Sequence, residues 1–143
     1  VGIEGIDTRA LTRHIRLQGA MKAAISTQDL DRESLVRKAK ESTGLLGRDL
    51  VSDVTTERPI LWSKKGKYKV VVLDCGVKYN ILRILAAHDC QVLVLPANST
   101  AEEILSKNPD GLLLSNGPGD PAALTYIVET VKKLLERLPI FGI

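Results

Sequence analysis

The segment from Asn116 to Pro121 reads Asn-Gly-Pro-Gly-Asp-Pro and directly follows an apolar run. This turn chemistry exceeds what a plain strand-to-helix connection needs, because Gly allows positive φ and Pro fixes φ at about −65°. Side chains at positions 117 and 119 would obstruct a ligand that approaches the backbone. A glycine N–H freed by a sharp turn can also donate to a developing oxyanion. Most Gly/Pro clusters are only turns, so a plain turn is favoured for this stretch taken alone, and a ligand-binding or oxyanion-binding turn is the alternative that its place in the fold has to support.

Phosphate binding is a second interpretation of the same turn. Asp120 and Pro121 are typical of the N-cap and first position of a helix, whose N-terminus attracts anions. However, the Asp at the cap already supplies negative charge, and no Lys or Arg follows within the turn. The segment matches neither GxGxxG nor the Walker pattern, so a nucleotide fingerprint is disfavoured.

A second candidate feature is Pro-Ile-Phe-Gly-Ile at positions 139–143. In elbows of the form G-x-nucleophile-x-G, a Gly two residues before the nucleophile permits a tight turn from strand to helix. With Gly142 as that glycine, the nucleophile would be the residue after Ile143. Many apolar strands end on Gly-Ile, so this pattern needs support from other residues.

The remaining polar residues carry weaker signals. His14 is expected to be a surface or packing residue, and His88 to end a helix, where its charge favours the dipole. Cys75 has no histidine beside it in sequence, and we expect buried, reduced thiols at Cys75 and Cys90 rather than a disulfide or a metal site. A polar set near the end of the first strand is expected to brace a loop: Asp74, Lys78, Asn80 and Arg83.

The elements that must position these residues alternate between strand and helix after about residue 68. Four apolar segments are typical of parallel strands covered on both faces: 69–74, 91–96, 111–115 and 139–143. Helical patterns separate them: 80–88, a short helix with the Thr100–Glu103 capping box, and an apolar helical face from Leu124 to Leu138. This order predicts a doubly wound α/β fold with a parallel sheet. Ligands bind such sheets beyond the carboxyl ends of the strands, and the Gly-Pro turn lies there.

The first part of the chain is expected to be the end of another domain. Asp7 and Gly19 would bound one helix, and a second would run from Asp31 to near Gly44. Alternation at 21–25 predicts a short strand between them.

Three regions follow from this organisation. Residues 1–60 would bury little surface alone, so we expect an earlier part of that domain. The segment 61–68 is interpreted as a linker, and residues 69–143 as the first half of the α/β domain.

Composition disfavours several classes of function. The net charge is only +3 and aromatic residues make up 3% of the chain, which argues against a nucleic-acid binder with a stacking platform. The basic run at 64–69 is interpreted as solvated linker. No segment reaches the length of a membrane span, and the N-terminus lacks a signal-peptide pattern. We therefore predict a cytoplasmic protein that binds neither nucleic acid nor membrane.

These residues together resemble a known family, the small, glutamine-hydrolysing subunits of carbamoyl-phosphate synthetases. The similar runs are GIDTRALTRHIRLQGAMKAAIS, LDCGVKYNILRILAAHDCQVLVLPANSTAEEIL, PDGLLLSNGPGDP and PIFGI, which cover nearly all the chain. Related class I amidotransferases carry similar Gly-Pro turns, so SNGPGDP alone does not identify the family. The pattern D-x-G-x-K-x-N-x-x-R-x-L from Asp74 to Leu85, joined to IDTR-LTR, is narrower and favours this family over anthranilate, GMP or CTP synthetases.

The resemblance implies a division of labour between two subunits. A cysteine in a G-I-C-L-G motif would attack the glutamine side-chain amide and form a thioester with release of ammonia, assisted by a His and a Glu. A large synthetase subunit would use the ammonia, with bicarbonate, ATP and Mg, to make carbamoyl phosphate for arginine and pyrimidine biosynthesis. No cofactor or metal is expected in this chain.

Carried over residue by residue, the resemblance makes Gly117 an oxyanion-hole N–H donor and places Gly117 and Gly119 at the glutamine site. It places the nucleophile directly after Ile143, the His-Glu pair further downstream and a glutamine-binding Ser before Val1. Residues 1–143 alone are expected to be inactive. Two alternatives stay open: another class I amidotransferase with a different acceptor, and a non-catalytic α/β binding module.

Overall fold

A computed structural model describes residues 1–143, which form two compact units, residues 1–44 and 45–143. The smaller unit contains the helices α1, Thr8–Gln18, and α2, Arg32–Glu41. The Asp7 carboxylate accepts a hydrogen bond from the Ala10 N–H at 2.9 Å, and α1 ends at Gly19 with φ of 81°. Asp31 caps α2 in the same way. The two predicted N-caps and the glycine stop are therefore confirmed, although α2 ends at Glu41.

The strand predicted at 21–25 is wrong, because these residues have no regular structure. The sheet of this protein takes all its strands from the larger unit, so the alternating segment has no strand to pair with. The Nζ of Lys22 instead donates hydrogen bonds to the backbone carbonyls of Lys40 and Ser42. No side chain of the smaller unit is buried, as expected for a segment this short.

The larger unit is built on a five-stranded sheet. Its strands are β1, Ile60–Ser63; β2, Tyr68–Asp74; β3, Cys90–Pro96; β4, Gly111–Leu114; and β5, Ile140–Gly142. They are arranged in the order β1-β3-β2-β4-β5. Strands β2 to β5 pair in parallel, and the helices α3, Tyr79–Ala87; α4, Ala101–Ser106; and α5, Thr125–Leu134 connect them. The predicted doubly wound α/β fold is confirmed.

Both faces of this sheet are covered, which explains the continuous apolar strands. Val71 and Leu73 of β2 pack in one cluster with Ile104 of α4 and Leu134 of α5. The intervening Val72 lies in the opposite cluster, which includes Leu82 of α3. Complete burial of one such side chain contributes about 1.5–3 kcal/mol, so the two clusters fix the sheet between its helices. None of the helices is long and apolar enough to span a membrane.

The segment predicted as a linker contains part of an edge strand. Ile60 and Leu61 of β1 pair antiparallel with Val94 and Leu93 of β3. The whole stretch from residue 45 onward groups with the sheet. Four residues between a proline and a lysine-rich run give too short a pattern for a strand to be recognised. The division into the domains 1–60 and 69–143 stays a prediction.

The helix after the Gly-Pro turn begins in two steps. Asp120 accepts a hydrogen bond from the Ala122 N–H at 3.0 Å and caps a 3₁₀ turn at Pro121–Ala123, and α5 starts only at Thr125. The Leu124 N–H bonds to the Pro121 carbonyl, an i→i+3 bond that tightens the backbone before the α-helix. The predicted cap at Asp120 is confirmed, but the single continuous helix from Pro121 is wrong.

Candidate functional site

The Gly-Pro turn lies at the carboxyl edge of the sheet, as predicted. It follows β4, which lies between β2 and β5, so the segments leaving all three strands meet at this edge. The Ser115 N–H donates to the Leu73 carbonyl at 3.2 Å, and the Ile143 N–H donates to the Leu114 carbonyl at 3.1 Å. The structure therefore brings the turn and Ile143 together.

A cavity of about 460 Å³ opens beside this turn. Its wall combines the turn residues 115–119 with Cys75, Ile143 and the apolar face of α5, including Ile127 and Val131. Small-molecule sites usually have volumes of about 300–1,000 Å³ and mainly apolar walls with a few polar groups. The cavity has this character, since its polar groups come mostly from the backbone and side chains of the turn.

Positions 117 and 119 of the turn require glycine for different structural reasons. A Cβ at Gly117 would overlap the carbonyl oxygen of Cys75 and lie 3.0 Å from the Cys75 Cβ. Gly119 has φ of 83°, a left-handed conformation that side chains rarely adopt, and its Cβ position is 3.4 Å from Leu50. Close packing explains the first glycine and backbone conformation the second.

The backbone of the turn also presents free hydrogen-bond donors. The N–H groups of Gly117 and Gly119 donate no hydrogen bond within the chain, and both residues are exposed. An N–H that is free at the carboxyl edge of a parallel sheet is suited to an anionic or carbonyl oxygen. The Oδ1 atom of Asn116 is buried and has no hydrogen-bond partner in the chain. The turn thus offers two N–H donors to another group, and it holds one buried acceptor that has no partner in the chain.

Ser115 ties this turn to the segment after β2. Its side chain is buried, and its Oγ accepts a hydrogen bond from the Cys75 N–H at 2.9 Å. The same hydroxyl donates to the Asn116 carbonyl at 2.9 Å. A further bond joins the Nδ2 of Asn116 to the Gly76 carbonyl at 3.3 Å. Ser115 was not predicted as a site residue, because its only signal in the sequence is a polar side chain at the end of an apolar strand.

The loop at residues 49–52, for which the sequence predicted no role, packs against the Gly-Pro turn. Val51 is completely buried in the main apolar cluster, and Leu50 contacts the position of Gly119. The Oδ1 of Asp49 accepts hydrogen bonds from the N–H groups of Val51 and Ser52, which fixes the loop.

Burial and the nearby Asp49 carboxylate raise the pKa of Tyr126 on α5 to about 12, so this phenol stays protonated.

Cys75 lies at this edge but is poorly suited to act as a nucleophile. Burial, with the negative charge of Asp74 and to a smaller extent Asp49, raises the pKa of its thiol to about 11, while the Ser115 hydroxyl acts in the opposite direction. Burial and Asp89 also raise the pKa of Cys90. Both cysteines are buried and unpaired, which confirms the prediction of packed thiols.

The polar set around the end of β2 is only partly a brace. The buried Asp74 accepts hydrogen bonds from the N–H groups of Gly76, Val77 and Thr56 at 2.8–2.9 Å. The side chains of Lys78, Asn80 and Arg83 make no hydrogen bond, so the bracing interpretation holds for Asp74 alone.

The remaining candidates do not form a further site. His88 follows α3 beside the start of β3, at the sheet edge opposite the turn. His14 is an exposed residue of α1. No group of three or more His, Cys, Asp or Glu side chains could hold a metal ion.

Comparison with known proteins gives one consistent result. Residues 71–143 match the family model of glutamine amidotransferase class-I. Over 100% of its length the chain is 48% identical to the carbamoyl phosphate synthase small chain of Syntrophotalea carbinolica, of which it covers 42%. The corresponding protein of Thermotoga maritima is 51% identical over 100% of the chain and 37% of the relative.

An archaeal relative extends this similarity. The carbamoyl phosphate synthase small chain of Archaeoglobus fulgidus is 47% identical over 99% of the chain and 40% of the relative. The chain thus spans about two fifths of the length of the curated relatives it matches. The resemblance drawn from the sequence motifs is confirmed.

Proposed function

The chain belongs to the class-I glutamine amidotransferase family, and on this premise we propose that it is part of the glutamine-hydrolysing small subunit of a carbamoyl-phosphate synthetase. The observation that carries the proposal is the 47–51% identity of the whole chain to small chains from distant organisms. Related amidotransferases with other acceptors share the family model, but the names of these relatives favour the carbamoyl-phosphate enzyme.

The reaction begins at the residue after Ile143, which we propose is a cysteine. Its thiolate attacks the side-chain amide carbon of glutamine, forming a C–S bond and moving the carbonyl electron pair onto oxygen. The C–N bond then breaks, and the nitrogen takes up a proton and leaves as ammonia. Water hydrolyses the thioester to glutamate and restores the thiol. Ile143 supports this placement, because its N–H bonds to the Leu114 carbonyl beside the turn.

The turn stabilises the charge that forms in this reaction. We assign the free N–H of Gly117 as a donor to the oxyanion and the neighbouring backbone at Gly119 to glutamine binding. Support comes from the exposure of both residues, the lack of any hydrogen bond to either N–H within the chain, and the adjoining cavity of about 460 Å³. A positioned donor of this kind contributes about a hundredfold or more in rate.

The proposal includes a partner that carries out the remaining chemistry. A large synthetase subunit receives the ammonia and uses ATP, Mg and bicarbonate to form carbamoyl phosphate in the cytoplasm. In this proposal ATP and Mg are used by the large subunit, and residues 1–143 need no cofactor. The designation of its relatives as small chains fits such a two-subunit enzyme.

Glutamate release from glutamine by the full-length protein tests the proposal. We expect activity that disappears when the cysteine after Ile143 is replaced by Ser. The matched control is Cys90→Ala, which removes a buried thiol at the start of β3, far from the carboxyl edge, and should retain the activity. Absence of glutamine hydrolysis by the wild-type protein, or its survival in the Ser variant, would overturn the proposal.

A further inference from the structure

We propose that the Ser115 hydroxyl is a positioning group that holds the Asn116–Gly117 peptide with its N–H toward the reacting glutamine. The inference rests on the proposed glutaminase function and assigns a part of the same site. Ser115 itself touches no reacting atom in this account. It acts through the orientation of a single peptide group.

Ser115 makes a pair of hydrogen bonds through its hydroxyl. The Oγ accepts from the Cys75 N–H and donates to the Asn116 carbonyl, both at 2.9 Å. Since Cys75 follows β2, the hydroxyl is fixed against the central strand of the sheet. Its side chain is buried, so water does not compete freely for these bonds.

The trans geometry of the Asn116–Gly117 peptide determines the direction of its N–H. All peptide bonds of the chain are trans, and the C=O and N–H of a trans peptide point in opposite directions. Because the Asn116 carbonyl is bound to Ser115, the Gly117 N–H of the same peptide points away from that hydroxyl. Rotation of the peptide by half a turn would replace this donor with a carbonyl oxygen, which would repel an oxyanion.

No other hydrogen bond of the chain holds this peptide group. The Asn116 carbonyl accepts no other hydrogen bond, and the Gly117 N–H donates none. Position 117 is also a glycine, whose backbone rotates more freely than that of other residues. The contact with Ser115 is therefore the main bond that distinguishes the two orientations of the peptide.

The chain offers a matched control for loss of such a hydroxyl. The Oγ1 of Thr55 donates to the Asp74 carbonyl at 2.6 Å and accepts from the Ala97 N–H at 2.9 Å. It therefore joins the ends of β2 and β3 with the same number of bonds that Ser115 makes at β2 and β4. Thr55→Val therefore removes two comparable hydrogen bonds and leaves those of the Asn116–Gly117 peptide unchanged.

Steady-state glutaminase kinetics of the full-length protein test the inference. A hydrogen bond of typical net strength biases an equilibrium about tenfold, and complete loss of one oxyanion donor costs about a hundredfold or more. We expect Ser115→Ala to lower kcat by about tenfold to a hundredfold with KM within about twofold, because the interaction operates in the transition state. Ser115→Thr, which keeps the hydroxyl, should retain most of the wild-type kcat.

Two further measurements separate positioning from a general structural loss. Thr55→Val should lower the melting temperature about as much as Ser115→Ala, yet keep kcat within about twofold of the wild type. Alkylation of the catalytic thiol by iodoacetamide, which forms no oxyanion, should proceed at the wild-type rate in Ser115→Ala.

Specific results would overturn the inference. They are an unchanged kcat in Ser115→Ala, an equal loss of kcat in Thr55→Val, a loss in Ser115→Thr as large as in Ser115→Ala, or a parallel loss of thiol alkylation. Failure of the proposed function is distinct, because the wild-type protein itself would then fail to hydrolyse glutamine.

Discussion

Replacement of Gly117 by alanine tests how tightly the turn packs on the end of β2. The added Cβ would overlap the Cys75 carbonyl oxygen and lie 3.0 Å from its Cβ and 3.2 Å from its carbonyl carbon. These atoms follow the central strand of a sheet that is covered on both faces, so they cannot move without disturbing the core.

The magnitude follows from two opposing effects. Overpacking of this kind costs about 1–3 kcal/mol. Replacing Gly by Ala also restricts the unfolded chain, which offsets about 0.4–1 kcal/mol. We therefore expect Gly117→Ala to lower the free energy of unfolding by about 1.3 kcal/mol, the difference between central values of about 2 and about 0.7 kcal/mol.

Urea denaturation followed by circular dichroism measures this change. The control is Gly111→Ala at the other end of β4, where the nearest atom to the added Cβ is the Pro139 carbonyl oxygen at 3.5 Å, an ordinary contact. Because it restricts the unfolded chain without a clash, Gly111→Ala should raise the free energy of unfolding by about 0.4–1 kcal/mol. Equal urea midpoints for Gly117→Ala and the wild type would refute the packing argument.

This result also affects how activity data are interpreted. Because the Cβ disturbs the Cys75 backbone, a loss of the proposed glutaminase activity in Gly117→Ala would combine a displaced turn with any change at the proposed oxyanion donor. Ser115→Ala avoids this difficulty, since it adds no atom next to Cys75.

Two smaller predictions concern the turn and its neighbour. Asp120→Ala should lower the free energy of unfolding by about 1 kcal/mol, seen as a lower urea midpoint, because the Ala122 N–H loses its acceptor; an unchanged midpoint would mean that this cap adds no stability. The pKa of Cys75 is about 11 in the folded protein against 9.0 in its ordinary environment, so the folded state holds the proton more tightly. This contribution to stability is complete below about pH 9 and is lost as the pH rises toward 11. Cys75→Ala should therefore reduce the fall of the free energy of unfolding over this pH range, measured by urea denaturation at each pH. An identical fall in both proteins would contradict the assignment.

The parallel sheet could be predicted because its strands are buried on both faces. Val71, Val72 and Leu73 face alternate clusters, so the sequence shows an unbroken apolar run instead of an alternating pattern. The alternating apolar and polar residues at 21–25 led to a wrong strand prediction, because such a pattern does not show whether a partner strand exists. Strand β1 was not predicted, because its four residues are too few to show a strand pattern. Its pairing with β3, which stabilises it, is a long-range contact.

The location of the candidate site could be predicted, but its supports could not. The Gly-Pro turn has a strong local signature, and parallel strand order placed it at the carboxyl edge. The partner of Ser115 is the N–H of Cys75, 40 residues away in sequence, and the contact of Leu50 with Gly119 depends on the fold of a separate loop. Such long-range hydrogen bonds and packing contacts leave no periodic pattern in the sequence.

Nitrogen-source dependence of carbamoyl phosphate synthesis tests the central claim most directly. The full-length protein, combined with the proposed large synthetase subunit, should make carbamoyl phosphate from either glutamine or free ammonia. Replacing the residue after Ile143, proposed to be cysteine, by Ser should abolish glutamine-dependent synthesis and leave ammonia-dependent synthesis intact. Retention of glutamine-dependent synthesis in that variant would show that the nucleophile lies elsewhere and contradict the account.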